Sequence, residues 1–155
     1  KVGLVWKGNP RFENDADRSL PLSALAPLAG VSGVSFVSLQ KGAGEDEAAH
    51  PPPGLTLVDI GSRLGDFADA AAVVAQLDLV ISVDTAMAHL AGALGRPCWL
   101  LLPWVADWRW MIDREDTPWY PATRLLRQPG PGDWASVVQV LVRQLTRDVG
   151  AMSPG

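Results

Sequence analysis

A single cysteine, Cys98, and two widely separated histidines, His50 and His89, stand among the 155 residues. One thiol excludes a disulfide framework and a cysteine-rich metal site. Two distant histidines leave little for a zinc centre. A basic surplus is also lacking: the net charge is −4, spread along the chain, which argues against a nucleic-acid partner. Long hydrophobic runs are missing as well. The longest, Cys98–Pro103, is far shorter than the ~18 residues of a membrane helix, so no membrane span is expected. No signal-peptide pattern is present. The chain opens on an apolar run without a start methionine and reads as an expected piece of something larger. What is present is 48% hydrophobic and 19% charged residues, an ordinary globular balance in a length suited to one domain.

The apolar runs are short and continuous. Val2–Trp6, Val34–Leu39, Leu55–Ile60, Leu79–Val83 and Cys98–Leu102 read as strands, with Thr123–Leu126 as a sixth at an edge. Continuous rather than alternating apolar residues suit strands covered on both faces. Helical spacing falls between them. Phe67, Ala70, Ala71, Val74 and Leu77 form one buried face, capped by Asp66. Met87, Leu90, Ala91 and Leu94 form another, with Asp84 as expected N-cap and Gly95 as stop. Val138, Leu141, Val142 and Leu145 form a last helix capped by Asp133, and Pro21–Leu28 a short one. The polar, proline-broken stretch Gly42–Gly54 is expected to be a mobile loop, and residues 150–155 a disordered tail after one domain over 1–149. The predicted class is α/β: a Rossmann-like open parallel sheet with helices on both faces.

Ligands of such sheets bind beyond the carboxyl ends of the strands. That edge collects Lys7–Ser19, Gln40–Gly44, Gly61–Asp66, Val83–Thr85 and Pro103–Trp110. At Asp84-Thr85 a strand runs straight into a helix, whose first N–H groups lack internal partners and carry partial positive charge. With the Thr85 hydroxyl they suit a phosphate, and the small Ala86 lets backbone approach a ligand. Asp84 as a plain cap is the blander alternative. His89, one turn on, is either a neighbour of the same mouth or a structural residue. His50 is expected to be inert and Cys98 a buried small hydrophobe.

The segment Asp84-Thr85-Ala86-x-x-His89-Leu90-Ala91-Gly92-Ala93-Leu94-Gly95-Arg96-Pro97 resembles the D-T-x-x-x-H-[LI]-A-x-A-x-G-x-P segment of the lipopolysaccharide heptosyltransferases, glycosyltransferase family 9. Asp59-x-Gly61-Ser62-x-Leu64-x-Asp66-Phe67 and the strand Leu77–Ser82 are similar to that family too. Trp6-x-Gly8-Asn9-Pro10, Arg18-Ser19-Leu20-Pro21-Leu22 and Asp107-Trp108-Arg109-Trp110 resemble more closely still the bacterial tetratricopeptide-repeat proteins that end in a glycosyltransferase domain. The resemblance covers nearly all of residues 1–147.

It implies the C-terminal, donor-binding half of a GT-B glycosyltransferase. Such an enzyme is expected to be cytoplasmic, metal-independent and inverting, and to move a sugar from a nucleoside diphosphate sugar to an acceptor hydroxyl. The nucleotide-sugar is then a substrate and no cofactor is implied. An N-terminal acceptor domain and tetratricopeptide repeats of the same protein are the implied partners, and the fragment alone is expected to be inactive. Carried onto this chain, Thr85 and the Ala86 N–H contact the diphosphate, Asp84 shapes the turn, His89 lies near phosphate or sugar, and Lys7, Gly8, Asn9 or Arg11 come from the first loop. Arg109, Trp108 and Lys41 are further candidates for phosphate or sugar contacts, with Lys41 the more expected in solvent. No catalytic residue is assigned. The family's Gly-Pro-Thr after the fifth strand is replaced by Leu102-Pro103-Trp104-Val105-Ala106-Asp107, which leaves the sugar open. Seven tryptophans are many for this length. Those at 104, 108, 110 and 119 offer either sugar or base platforms or a hydrophobic face that docks a partner, the latter favoured. A non-catalytic docking module is the competing reading.

Overall fold

The structure, a computed structural model, describes residues 1–152. Among them, six strands form one sheet: β1 (Val2–Val5), β2 (Phe36–Ser38), β3 (Leu57–Asp59), β4 (Leu79–Val83), β5 (Cys98–Leu102) and β6 (Thr123–Arg127). Their spatial order is β3-β2-β1-β4-β5-β6, and every neighbouring pair is parallel. This is a doubly wound order, in which the chain reverses its winding between β1 and β4. The α/β reading of the sequence is therefore correct, and β4 and β5 have the bounds read from it. The strands β2 and β3 are shorter than their apolar runs.

Four α-helices accompany the sheet among the described residues: α1 (Asp15–Arg18), α2 (Phe67–Val74), α3 (Ala86–Ala93) and α4 (Trp134–Met152). A 3-10 helix at Leu22–Gly30 stands where a short helix was expected. Period-two alternation divides the sheet's side chains into two cores. Leu4, Ile81, Val83, Trp99 and Leu101 pack against Leu22, Leu25 and Leu28 and against Val138, Leu141 and Leu145 of α4. Val5, Val80, Cys98, Leu100 and Leu102 pack against Val74, Leu77, Ala88 and Ala91 on the other face. Every residue of β1, β4 and β5 is buried, which is why their sequences read as apolar runs, broken only by the buried Ser82 of β4.

Helix ends follow the local chemistry in two cases. Asp66 caps α2 by accepting from Asp69 N at 2.9 Å, and Asp133 accepts from Ser136 N at 3.0 Å at the start of α4. The hydrogen bonds from Ser136 hold the Asp133 carboxyl below its usual range. Gly95, at φ +66°, ends α3 in the left-handed conformation glycine tolerates.

Two expectations are corrected. Residues 42–54 are no mobile loop. They contain a 3-10 helix, Glu45–Ala49, with Ala48 buried in the core; Glu47 accepts from Leu22 N at 2.7 Å and pairs with Lys7. The N-cap of α3 is Thr85, not Asp84, because the Asp84 carboxylate has a partner elsewhere. For the expected disordered tail over 150–155, α4 runs on to Met152, and residues 153–155 lie outside those described. No helix of the described residues is long and apolar enough to cross a membrane.

Candidate functional site

Where the winding reverses, the loops after β1, β2 and β4 splay apart and leave a cleft of about 950 Å³. The loop after β1 supplies Lys7, Gly8, Asn9 and Arg18; the loop after β2 supplies Gln40 and Lys41; Asp84, Thr85, Ala86 and His89 come from the β4–α3 junction. Gln40, 1% exposed, braces the two loops: its Oε1 accepts from Trp6 N and Lys7 N at 2.9 and 3.0 Å, and its Nε2 donates to Lys7 O and Ala43 O at 2.9 and 2.7 Å.

The mouth of α3 opens on this cleft. Thr85 makes no side-chain capping bond, and Ala86 N and Met87 N have no protein acceptor among the described residues. These are the free donors that hold anions at helix N-termini. The Thr85 hydroxyl lies 3.0 Å from Ser82 Oγ, and Ser82 Oγ donates to Val83 O at 2.7 Å. Ser82 has one proton, so Thr85 is the donor of that pair, and an arriving ligand competes for its hydroxyl proton.

Arg18, which sequence reasoning did not place in the site, holds the mouth from below. Its Nη1 donates to Asp84 O at 3.0 Å, its Nε donates to Asp15 Oδ1 at 3.1 Å, and its guanidinium lies 4.8 Å from the Phe12 ring centre. The signals for it were its place in the loop Lys7–Ser19 at the ligand-binding edge and in the family-like Arg18-Ser19-Leu20-Pro21 run. Gly8 must be small here: a Cβ would come within 2.6 Å of Arg18 Nη2.

On the opposite wall Asp84, His89, Arg109, Trp110 and Tyr120 form one cluster. Asp84 Oδ2 accepts from Trp110 Nε1 at 2.9 Å, and Trp110 is 1% exposed. The His89 ring stacks on Trp110 with centroids 5.4 Å apart. Its Nδ1 lies 2.9 Å from Tyr120 Oη, and its Nε2 lies 3.3 Å from Arg109 Nη1 and 3.7 Å from Asp84 Oδ1. Arg109 Nε also donates to Asp107 Oδ1 at 3.0 Å. Tyr120 is a second residue the sequence did not mark.

Of the residues read as site candidates, Lys7, Gly8, Asn9, Lys41, Asp84, Thr85, Ala86, His89 and Arg109 all line the cleft. Arg11 and Trp108 do not. Arg11 is exposed on the loop after β1, and Trp108 is 80% exposed outside the cleft. Trp110 leaves the surface cluster for the core, whereas Trp104 and Trp119 stay more than half exposed. Lys7 is engaged by Glu47, while among the described residues Lys41 Nζ donates only to Ser62 O, at 3.3 Å. Among the described residues no group of three or more His, Cys, Asp or Glu side chains is placed to hold a metal ion.

Parallel strands in this order, with the free N–H groups of a helix mouth at the point of reversal, define a Rossmann-like α/β domain. The family model "Glycosyltransferase family 9 (heptosyltransferase)" matches residues 23–100, half of the chain, and the chain belongs to that family. It is 35% identical over 139 residues to Protein FlbA of Caulobacter vibrioides, covering 86% of this chain and 23% of that protein. Two solved structures of the E. coli heptosyltransferase WaaC share the fold. The form with ADP matches at TM-score 0.62 and 19% identity over 93% of this chain and 44% of its own. The form with ADP-2-deoxy-2-fluoro heptose matches at TM-score 0.63 and 20% identity over 92% and 42%. A family 9 glycosyltransferase of Veillonella parvula matches at TM-score 0.59 and 13% identity over 99% and 47%. The chain thus spans about a quarter of the curated relative and under half of each structural one.

Proposed function

We propose that this chain is the donor-binding domain of a cytoplasmic glycosyltransferase, which holds a nucleoside diphosphate sugar and, with the remainder of its protein, passes the sugar to an acceptor hydroxyl. The observation that carries this reading is the convergence of the free α3 N–H groups, the Thr85 hydroxyl and the cations Arg18, Lys41 and Arg109 on one cleft of about 950 Å³. That volume suits a nucleotide-sized ligand. The WaaC heptosyltransferase with ADP supports an adenine nucleotide as the first ligand to try.

In the reaction the acceptor oxygen attacks the anomeric carbon as the bond from that carbon to the diphosphate oxygen breaks. Displacement from the opposite face inverts the centre, and the acceptor proton passes to a base. Negative charge grows on the departing diphosphate. The Ala86 and Met87 N–H groups, the Thr85 hydroxyl and the guanidinium groups stabilise it where it forms, so no metal ion is required. The base and the acceptor site belong to the remainder of the protein, and this domain alone binds without turning over.

The test is calorimetric titration with ADP, UDP and GDP in the presence of chelator, on the wild type and on Thr85→Val. We expect one diphosphate to bind and Thr85→Val to weaken it by ~1–3 kcal/mol. No binding of any diphosphate, or equal affinity for both forms, overturns this assignment. A specific observation favours the docking reading instead: Trp104, Val105, Trp108 and Ile112 expose 54–81% of their surface side by side in sequence. Under that reading the module binds the rest of its own protein or its helical repeats, and Thr85→Val is without effect.

A further inference from the structure

The loop between β5 and β6 carries Arg109 to the cleft, yet burial does not hold its tip. Met111 and Ile112 are 42% and 81% exposed. Met111 and Asp113 also adopt φ of +59° and +56°, the left-handed region that favours glycine. Residues with a Cβ persist there only where their surroundings hold them.

The group that holds them is Arg127, the last residue of β6. Its Nε donates to Arg114 O at 3.1 Å, and its Nη2 donates to Trp110 O. Those two carbonyls bracket the left-handed residues, so one guanidinium closes the turn from both ends. The direction of each bond is fixed, because arginine only donates and a carbonyl only accepts. Among the described residues no carboxylate stands within ion-pair distance of Arg127. Burial holds its pKa below the ordinary arginine value. Arg127 has thus given up water for backbone oxygens rather than for an anion.

From the closed turn the chain runs straight back into the cleft wall. Trp110 gives its carbonyl to Arg127 and its indole N–H to Asp84. Arg109 gives its carbonyl to Trp119 Nε1 at 2.8 Å and places Nη1 3.3 Å from His89 Nε2. The backbone of both residues is pinned from the loop side, and their side chains are committed to the site.

We propose that Arg127 is a positioning residue of the donor site: by bonding the carbonyls of Trp110 and Arg114 it holds the β5–β6 turn in the conformation that directs Arg109 into the cleft. The consequence for a ligand rests on the donor-binding reading; the anchoring of the turn does not.

The experiment uses Arg127→Lys, which keeps the charge but replaces a planar fork with one nitrogen that cannot serve both carbonyls in the same way. It is made alone and together with Arg109→Ala. Calorimetry measures ADP affinity, and 1H–15N spectra follow the indole N–H groups. We expect Arg127→Lys to weaken ADP binding about three- to tenfold in the wild-type background. With Arg109→Ala already present, its further effect should stay under about twofold. The Trp119 indole signal should move towards that of a free indole, while those of the buried Trp6 and Trp99 stay in place. Equal losses of affinity in both backgrounds overturn the proposal, because Arg127 then does not act through Arg109. An unchanged affinity or an unmoved Trp119 signal overturns it as well. So does a variant that no longer folds, since neither core contains Arg127 and a role confined to the turn leaves both intact. If no form binds ADP, the donor reading falls, and the Trp119 signal alone decides whether Arg127 anchors the turn.

Discussion

Replacing Gly8 with alanine isolates the contribution of Arg18. The added Cβ would lie 2.6 Å from Arg18 Nη2, 2.6 Å from Asp15 Oδ1 and 2.7 Å from Arg18 Nε. These are the ends of side chains, so the clash is relieved by pushing the guanidinium away rather than by moving backbone. Displacement breaks the 3.1 Å pair with Asp15 and the 3.0 Å bond to Asp84 O. Both ionic side chains are well covered, at 13% and 14% exposure, so solvent screens the loss only weakly. Hydrogen bonds to charged groups contribute about 1.5–3 kcal/mol. Against this, Gly8 does not have the positive φ that only glycine tolerates, and alanine at such a site stabilises by about 0.4–1 kcal/mol through the unfolded chain. The net expectation for Gly8→Ala is a loss of about 1–2 kcal/mol, or roughly 2–8 °C in Tm for a domain of this size.

The sign of the effect should reverse in an Arg18→Met background. There the Cβ meets no guanidinium, Asp15 is free to turn, and Gly8→Ala becomes neutral or mildly stabilising. Urea unfolding followed by tryptophan fluorescence on the four forms of the double-mutant cycle measures the coupling. Effects that add to within about 0.5 kcal/mol would refute the reasoning, because they would show that residue 8 does not act through Arg18.

Gly61→Ala should be far more severe. Its Cβ would stand 2.0 Å from the backbone oxygen of Gln40, which cannot rotate away, so a loss of about 3 kcal/mol or more is expected in urea unfolding; a midpoint equal to wild type would contradict the packing. Burial pushes the Cys98 thiol from its ordinary 9.0 up to about 12, so iodoacetamide at pH 8 should label it in urea and not in the native state. The same burial makes stability fall as pH rises from about 9 towards 12, since the unfolded chain releases a proton that the fold retains; the slope approaches about 1.4 kcal/mol per pH unit and should vanish in Cys98→Ala. Lys41→Ala should weaken ADP binding and leave the urea midpoint almost unchanged, because Nζ donates only to Ser62 O at the surface; equal ADP affinity would remove Lys41 from the site.

The sheet was legible in the sequence because its central strands are buried on both sides. Val80, Ile81 and Val83 serve two different cores, so β4 is apolar but for Ser82, whose hydroxyl is hydrogen-bonded, and the strand's ends coincide with those read from the sequence. At the margin this logic weakens. Leu55 is buried in the core yet precedes β3, and Val58 within β3 is 52% exposed, so hydrophobicity and strand pairing part company there. The stretch after residue 42 was misread for a related reason. Its anchoring comes from the Glu47 carboxylate, bonded to Leu22 N and paired with Lys7, and a pattern of apolar residues carries no trace of such bonds.

The same blindness distorted the electrostatics of the site. Counting residues, the loop after β1 offered Lys7 as a phosphate partner. Folding assigns Lys7 to Glu47, Arg18 to Asp15 and Arg109 to Asp107, while Lys41 is the cleft lysine with no carboxylate partner among the described residues. The Lys7–Glu47 and Arg109–Asp107 pairs face water in part and the Arg18–Asp15 pair is well covered, and each leaves a cation held in place but largely neutralised. An approaching dianion therefore meets fixed dipoles more than net charge. The unpartnered Ala86 and Met87 N–H groups are the part of the cleft that no carboxylate has already satisfied. Asp84 fits this division. Its carboxylate points at Trp110 Nε1 rather than at the helix mouth, which removes a negative charge from the place where it would have repelled the ligand. The sequence offered Asp84 as the cap of α3, a place that Thr85 takes in the fold. The partner that separates them is an indole 26 residues further along the chain, visible only once the chain has folded.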